Sequence, residues 1–237
     1  MFKTLGKFMF MIELGFKYIT IFKKTFFHPF ITLKPAYQTL SKERQNYSNK
    51  VLDFLNIKVN VHGELPKEDH VLYAINHRSL LDIIVMEHVF AKSNKNGAWI
   101  AKQELFDNKI YGKFFEYSGC ISVDLDNKRG LLSFFKSIKK TLAKVDDMNI
   151  YIFPEGERFD GDGITEFQSG AAKIAKANKL KIIPIFLCCE MEKVFEKAPY
   201  ENTHTVDVYI GDFIDNATLE EDYKKFYTDI KAKGFND

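Results

Sequence analysis

Ile75-Asn76-His77-Arg78-Ser79-Leu80-Leu81-Asp82 joins two stretches of different periodicity, and its reading decides the fold. Before it, Val71-Leu72-Tyr73-Ala74-Ile75 is an unbroken apolar run of β-branched and aromatic type, the pattern of a buried strand. After it, Leu80, Leu81, Ile83, Ile84, Met86, Val89 and Phe90 recur at helical spacing. His77 therefore falls at a strand-to-helix turn, with a carboxylate five residues on. Along a continuous helix that spacing is about 140° of rotation, and the two side chains would diverge. With His77 in the turn and Ser79 capping the helix, Asp82 lies in its first turn and can reach back to the ring. A carboxylate on one imidazole nitrogen sets the tautomer and leaves the other nitrogen free as a general base. Such a pair needs an external nucleophile; Ser79 is expected to cap rather than to attack.

Outward from this stretch the pattern is α/β. Ile57, Val59 and Val61 alternate as a strand, and residues 98–101, 119–124, 150–153, 182–187 and 206–210 read as further strands. Asp126 or Asn127 can cap a helix with Leu131, Phe134, Phe135, Ile138, Leu142 and Val145 on one face; residues 169–178 and 219–230 are also helical. Strands alternating with helices predict a mostly parallel central sheet flanked by helices.

Upstream, residues 1–30 are rich in Phe, Met and Ile. Lys3, Lys7, Lys17 and Lys24 fall within about 100° on a helical wheel. A basic stripe on a strongly apolar helix suits an anionic bilayer surface. Glu13 and Lys17 interrupt the run, which argues against a spanning helix, and no small-residue cleavage site marks a signal peptide. Pro29 and Pro35 punctuate the chain before a second helix at 36–55, whose polar residues 41–50 read as a solvated face. The expected organisation is an N-terminal amphipathic helical hairpin over 1–55, associated with the membrane, and a globular domain over 56–237.

A hydrophobic share of 46% over 237 residues supplies an ample core. The net charge of +2 gives no support to nucleic-acid binding. Cys120, Cys188 and Cys189 are odd in number, and two are adjacent in an apolar run, as expected of reduced thiols. Neither they nor the scattered histidines have metal-ligand spacing, so no metal is expected.

A second turn raises the interest of the first. The strand at 150–153 ends in Phe153-Pro154-Glu155-Gly156-Glu157-Arg158. Strand ends are where α/β folds place ligands; here a glycine permits close backbone approach, and a guanidinium fork suits phosphate or carboxylate.

Together these turns resemble the glycerolipid acyltransferase family typified by 1-acylglycerol-3-phosphate acyltransferases. Asn76, His77 and Asp82 match its Asn-His-x4-Asp motif, and Phe153, Pro154, Glu155, Gly156 and Arg158 match Phe-Pro-Glu-Gly-Thr-Arg. Lys102, Glu104 and Leu105 match Lys-x-Glu-Leu; Phe167, Gly170 and Ala171 match Phe-x-x-Gly-Ala; Pro184 matches the later apolar-Pro-apolar segment. Order and separations agree over about residues 59–187. Two departures stand out: Glu157 where the family has Thr or Ser, and Leu125 where an arginine often follows the aspartate, with Lys128 and Arg129 close by.

The resemblance implies His77, oriented by Asp82, as general base for direct attack of a glycerol hydroxyl on an acyl thioester, without an acyl-enzyme. It places Asn76, Lys102, Glu155, Gly156 and Arg158 around the substrate, with Arg158 and Lys102 on the acceptor phosphate. The implied partners are a lysophospholipid, the anionic bilayer, and acyl-CoA or acyl-carrier protein as co-substrate, with no metal or redox cofactor. The product from lysophosphatidic acid is phosphatidic acid. The Lys-, Asn-, Ile- and Phe-rich usage points to an AT-rich bacterial genome, where the site would lie at the cytoplasmic face of the inner membrane. Glycerol-3-phosphate, a lyso-ornithine lipid or another lysolipid fits the same chemistry as acceptor. A non-catalytic peripheral lipid-binding protein and a hydrolase activating water stand as alternatives. A nucleotide-binding protein is disfavoured because the chain has no Gly-rich phosphate loop.

Overall fold

The structure is a computed structural model. It describes residues 30–234, except 80, 110, 111, 125–127, 160, 162, 189 and 190, together with Met9, Ile12, Gly15, Phe16 and Thr25. The helix α1 (Leu33–Leu55) leads into β1 (Ile57–His62) and β2 (Val71–Ile75), followed by α2 (Leu81–Lys92) and β3 (Asn96–Lys102). Short helices α3 (Gln103–Asp107) and α4 (Gly112–Tyr117) precede β4 (Ile121–Val123), α5 (Lys128–Lys144) and β5 (Met148–Ile152). The chain closes with α6 (Gly170–Asn178), β6 (Lys181–Cys188), α7 (Met191–Lys197), β7 (His204–Ile210) and α8 (Leu219–Ala232).

The seven strands form one sheet in the order β1-β7-β6-β2-β5-β3-β4. β6, β2, β5, β3 and β4 run in one direction; β7 pairs antiparallel with β6, and β1 follows β7 in parallel. The expected mostly parallel sheet flanked by helices is what forms. β2 is buried along its whole length because helices cover both faces, which is why it reads as a continuous apolar run. Its side chains alternate between two cores. Val71, Tyr73 and Ile75 meet α1 and α2, while Leu72 and Ala74 meet α5, α6 and α8. The short helices α3, α4 and α7 were not legible in the periodicity, since one to two turns give too few repeats to register.

The helix expected at 36–55 starts at Leu33, with Pro35 accommodated in the first turn, where no intrahelical N–H is needed. It is part of the domain's own packing rather than a separate unit. Its polar stretch also departs from the expected solvated face: Ser41, Arg44, Gln45 and Ser48 are buried. Arg44 explains this. Its Nε donates to Glu87 Oε1 at 2.7 Å, and its Nη atoms donate to the carbonyls of Ser118 and Gly97 at 3.0 and 2.7 Å. Trp99 Nε1 donates to the same Glu87 oxygen at 2.8 Å. Removing one partner of such a buried pair costs about 3–5 kcal/mol, so this knot ties α1 to α2 and β3. The first arm of the expected hairpin lies outside the described residues, apart from Met9, Ile12, Gly15, Phe16 and Thr25, of which Met9, Ile12 and Phe16 are exposed and Thr25 is buried. Among the described residues no helix is long and apolar enough to cross a membrane.

Candidate active site

Because β2, β5, β3 and β4 are parallel neighbours, their C-terminal ends open on one edge of the sheet. His77 follows β2, Glu155 follows β5, Lys102 ends β3 and Asp124 follows β4. Open α/β sheets bind ligands beyond these ends.

The first turn forms as its spacing suggests. His77 Nδ1 lies 2.9 Å from Asp82 Oδ2, with the imidazole 14% exposed and the carboxylate 1%. The same oxygen accepts the N–H groups of Arg78 at 2.7 Å and Ser79 at 2.8 Å. With Oδ2 acting as acceptor to all three, Nδ1 carries the proton and Nε2 is the basic nitrogen. Nε2 has no hydrogen-bond partner among the described residues. The Phe153 ring lies flat on the imidazole, centroids 3.7 Å apart and planes 12° apart, and Trp99 stacks behind Phe153 at 5.1 Å. Ser79 caps: its Oγ accepts the Leu81 N–H at 3.2 Å and donates to Glu192 at 2.9 Å.

The second turn holds the first in place. Glu155 Oε2 accepts the His77 N–H at 2.6 Å, Oε1 accepts the Thr165 N–H at 3.2 Å, and the Phe159 N–H donates to the His77 carbonyl at 2.8 Å. Burial pushes the Glu155 carboxyl up to about 7; the N–H groups of His77 and Thr165 and the charge of Arg78 oppose this, and Asp82 adds to it. Gly156 adopts φ +77°, and a Cβ there would lie 2.9 Å from Gln168 Cγ, so the turn needs glycine on both counts.

The second turn also borders an open cavity of about 250 Å³, walled by Lys102, Glu104, Asp124, Glu155, Gly156 and Glu157 among others; His77 itself does not line it. Glu155 links the two regions: it is one of the residues that line the cavity, and its carboxylate holds the backbone of His77. Lys102 and Arg158 are exposed; Arg158 lies at the outer end of the same turn and does not line the cavity. Asn76 is placed differently from a substrate contact. It is buried, its Nδ2 donates to the Leu187 carbonyl and its Oδ1 accepts the Leu187 N–H, so its amide latches β2 to β6. Among the described residues no group of three or more His, Cys, Asp or Glu side chains could hold a metal ion.

Three contributors were not foreseen. Arg78 Nη2 donates to the Gly163 carbonyl at 2.7 Å, and its guanidinium lies over the Phe186 ring. Phe153 supports the imidazole. Tyr223 of α8 accepts the Asn76 N–H at 3.1 Å and donates to the Ile185 carbonyl at 2.5 Å. The first two belong to the turns already singled out; Tyr223 carries no local signal, being 147 positions from Asn76.

A family model described as Acyltransferase matches residues 58–187, the span that contains both turns and the strands behind them. The chain belongs to the acyltransferase family. The acyltransferase is 36% identical over 175 residues to the 1-acyl-sn-glycerol-3-phosphate acyltransferase of Helicobacter pylori, covering 68% of this chain and 71% of that one. It is 31% identical over 142 residues to the enzyme of the same name from Streptococcus pneumoniae, covering 57% of this chain and 50% of that one. Its fold is that of the crystal structure of the 1-acyl-sn-glycerophosphate (LPA) acyltransferase PlsC from Thermotoga maritima. The TM-score is 0.68 at 20% identity, covering 97% of this chain and 96% of that one.

Proposed function

We propose that this acyltransferase moves a fatty acyl group from a thioester, acyl-CoA or acyl-carrier protein, to the free hydroxyl of lysophosphatidic acid, giving phosphatidic acid for phospholipid synthesis. One observation carries the reading: a carboxylate-bound imidazole whose second nitrogen is unengaged, joined through Glu155 to a cavity that Lys102 lines. The names borne by the relatives support the choice of acceptor.

In this reading the basic Nε2 takes the proton of the glycerol hydroxyl as its oxygen attacks the thioester carbonyl. The carbon–sulfur bond then breaks, an ester carbon–oxygen bond remains, and the imidazolium returns its proton to the departing thiolate. Asp82 steadies the imidazolium between these steps. Lys102 and Arg158 hold the acceptor phosphate, and that positioning lowers the barrier of a two-substrate reaction. Glu155 and Gly156 shape the turn between phosphate and base. No metal or redox cofactor takes part. The basic, apolar N-terminal segment brings the site to the cytoplasmic face of the cell membrane, from which the fatty acceptor is drawn.

A second acceptor class has one observation in its favour. Glu104, Asp124 and Glu157 share the cavity with Lys102, and a phosphomonoester meets more repulsion there than a less negative head group would. Labelled acyl thioester given to detergent-purified protein with lysophosphatidic acid, glycerol-3-phosphate, lysophosphatidylglycerol or a lyso-ornithine lipid separates the two. Diacyl product from lysophosphatidic acid, lost in His77→Ala, is the expected result. Transfer only to another acceptor would move the assignment to that lipid, and no transfer from either donor would leave lipid binding without catalysis.

A further inference from the structure

The charge of the chain is unevenly placed. α5 carries Lys128, Arg129, Lys136, Lys139, Lys140 and Lys144 and no aspartate or glutamate. α6 carries Lys173 and Lys176, with Lys179 as its C-cap, again without an acidic residue. The net charge of the whole chain is only +2, so these two helices concentrate cations that the remainder balances. Both bury their apolar sides, Phe134 and Ile138 on α5, Ile174 and Ala175 on α6, against the same face of the sheet, and they pack on each other.

Lys136, Lys139, Lys140, Lys144, Lys173 and Lys176 are all exposed. None of the six has an ion pair or hydrogen bond among the described residues. Lys34, Lys113 and Lys224 each contact a carboxylate at 2.5 Å, and Lys42, Lys50 and Lys58 are exposed singly; on α5 and α6 the cations are clustered with no acidic residue between them. An unneutralised basic face repels itself and attracts an anionic partner.

Its position relates it to the site. α5 starts where β4 delivers Asp124 to the cavity, and a Cβ on Gly130 in its first turn would lie 3.0 Å from the Asp124 side chain. From Lys128, Lys136 is about 12 Å and Lys144 about 24 Å along the helix axis. A partner seated on Lys136, Lys140 and Lys144 therefore lies along the helix that starts at the cavity wall, about 12 to 24 Å from that start.

An anionic bilayer and an acidic protein are the two candidates, and the side chains distinguish them. Helices that lie in a bilayer surface combine cations with exposed apolar side chains. Among the described residues the exposed large hydrophobics are Met9, Ile12, Phe16, Phe30, Ile31, Phe114 and Phe213, none of them on α6 or on residues 134–144 of α5. We infer that the outer face of α5 and α6 docks an acidic carrier protein that presents the acyl chain as a thioester. The inference rests on the acyl-transfer reading above: the acyl carbon–sulfur bond breaks, the ester bond to the acceptor forms, and the hydroxyl proton ends on the carrier's thiol.

The test compares two donors on the full-length protein with lysophosphatidic acid as acceptor: acyl-CoA, and the same acyl chain on acyl-carrier protein. The variants are a triple reversal, Lys136→Glu with Lys140→Glu and Lys144→Glu, and the charge-keeping triple Lys→Arg at the same positions. The reversal is expected to raise KM for the carrier-borne donor by about tenfold or more with kcat preserved, and to leave KM for acyl-CoA within about twofold. The arginine triple should match the parent, and the parent's KM for the carrier-borne donor should rise with salt. An equal rise for both donors, with weaker co-sedimentation on phosphatidylglycerol vesicles, assigns the face to the bilayer and overturns the inference. So does an unchanged KM, or a parent that accepts acyl only from CoA. A parent inactive with both donors removes the acyl-transfer reading, and this inference with it.

Discussion

Replacing Asp82 by Asn isolates what the carboxylate contributes beyond its shape. Asp82 Oδ2 accepts three donors, His77 Nδ1–H at 2.9 Å and the N–H groups of Arg78 and Ser79 at 2.7 and 2.8 Å. Oδ1 is buried without a hydrogen-bond partner among the described residues. The oxygen of an introduced amide is therefore held at the Oδ2 position, since an NH2 there would meet three donors at once. The imidazole keeps its orientation and its tautomer. What disappears is the negative charge beneath the imidazolium that forms when Nε2 takes a proton. Two unit charges 2.9 Å apart attract by about 6 kcal/mol at an effective dielectric constant of about 20. Lost from the transition state alone, that is a fall of roughly 10⁴ in kcat. Steady-state kinetics on Asp82→Asn should show this fall with KM for the acceptor nearly unchanged, while circular dichroism reports the parent's fold. A loss of less than about tenfold in a folded variant would refute the claim that the imidazole becomes charged during the reaction.

Glu155 gives a pH signature. Its folded carboxyl titrates at about 7 against an ordinary 4.5, because burial disfavours the charged form. The folded state thus holds a proton that the unfolded chain releases between these values. The stability this provides is complete below about pH 4.5 and is lost as pH rises through about 7, on the order of 3 kcal/mol across the window. Denaturant midpoints of the parent should fall over that range relative to Glu155→Gln, which has no proton to lose there; parallel profiles would count against it. Gly156→Ala puts a Cβ at φ +77° and 2.9 Å from Gln168 Cγ. Thermal unfolding should report a cost of about 1–2 kcal/mol, with activity lowered further as the turn carrying Glu155 shifts; an unchanged midpoint and rate would show that the turn tolerates a side chain.

Much of the fold could be read from periodicity alone. β2 announces itself as a continuous apolar run because both of its faces are covered, and α5 through the helical spacing of Phe134, Ile138 and Leu142. Where apolar spacing is the only cue, polar burial is invisible. Ser41, Arg44, Gln45 and Ser48 read as a solvated face, yet they are buried, because Glu87, Gly97, Ser118 and Lys95 supply partners from elements far along the chain. A charge is buried when its partner is, and the partner is not nearby in sequence.

The active site divides along the same line. The sequence by itself determined the pairing of His77 with Asp82, because five residues across a strand-to-helix turn leave the ring and the carboxylate within reach of each other whatever surrounds them. It also determined that the turn after β5 must contain a glycine at 156, a matter of local backbone geometry. Only the tertiary structure decided that Glu155 would hold the His77 backbone, that Phe153 would lie flat on the imidazole, that Asn76 would latch two strands, and that Tyr223 would reach the same turn from the last helix. Those contacts join residues separated by 76 to 147 positions, and strand order with register, rather than local preference, brings such residues together.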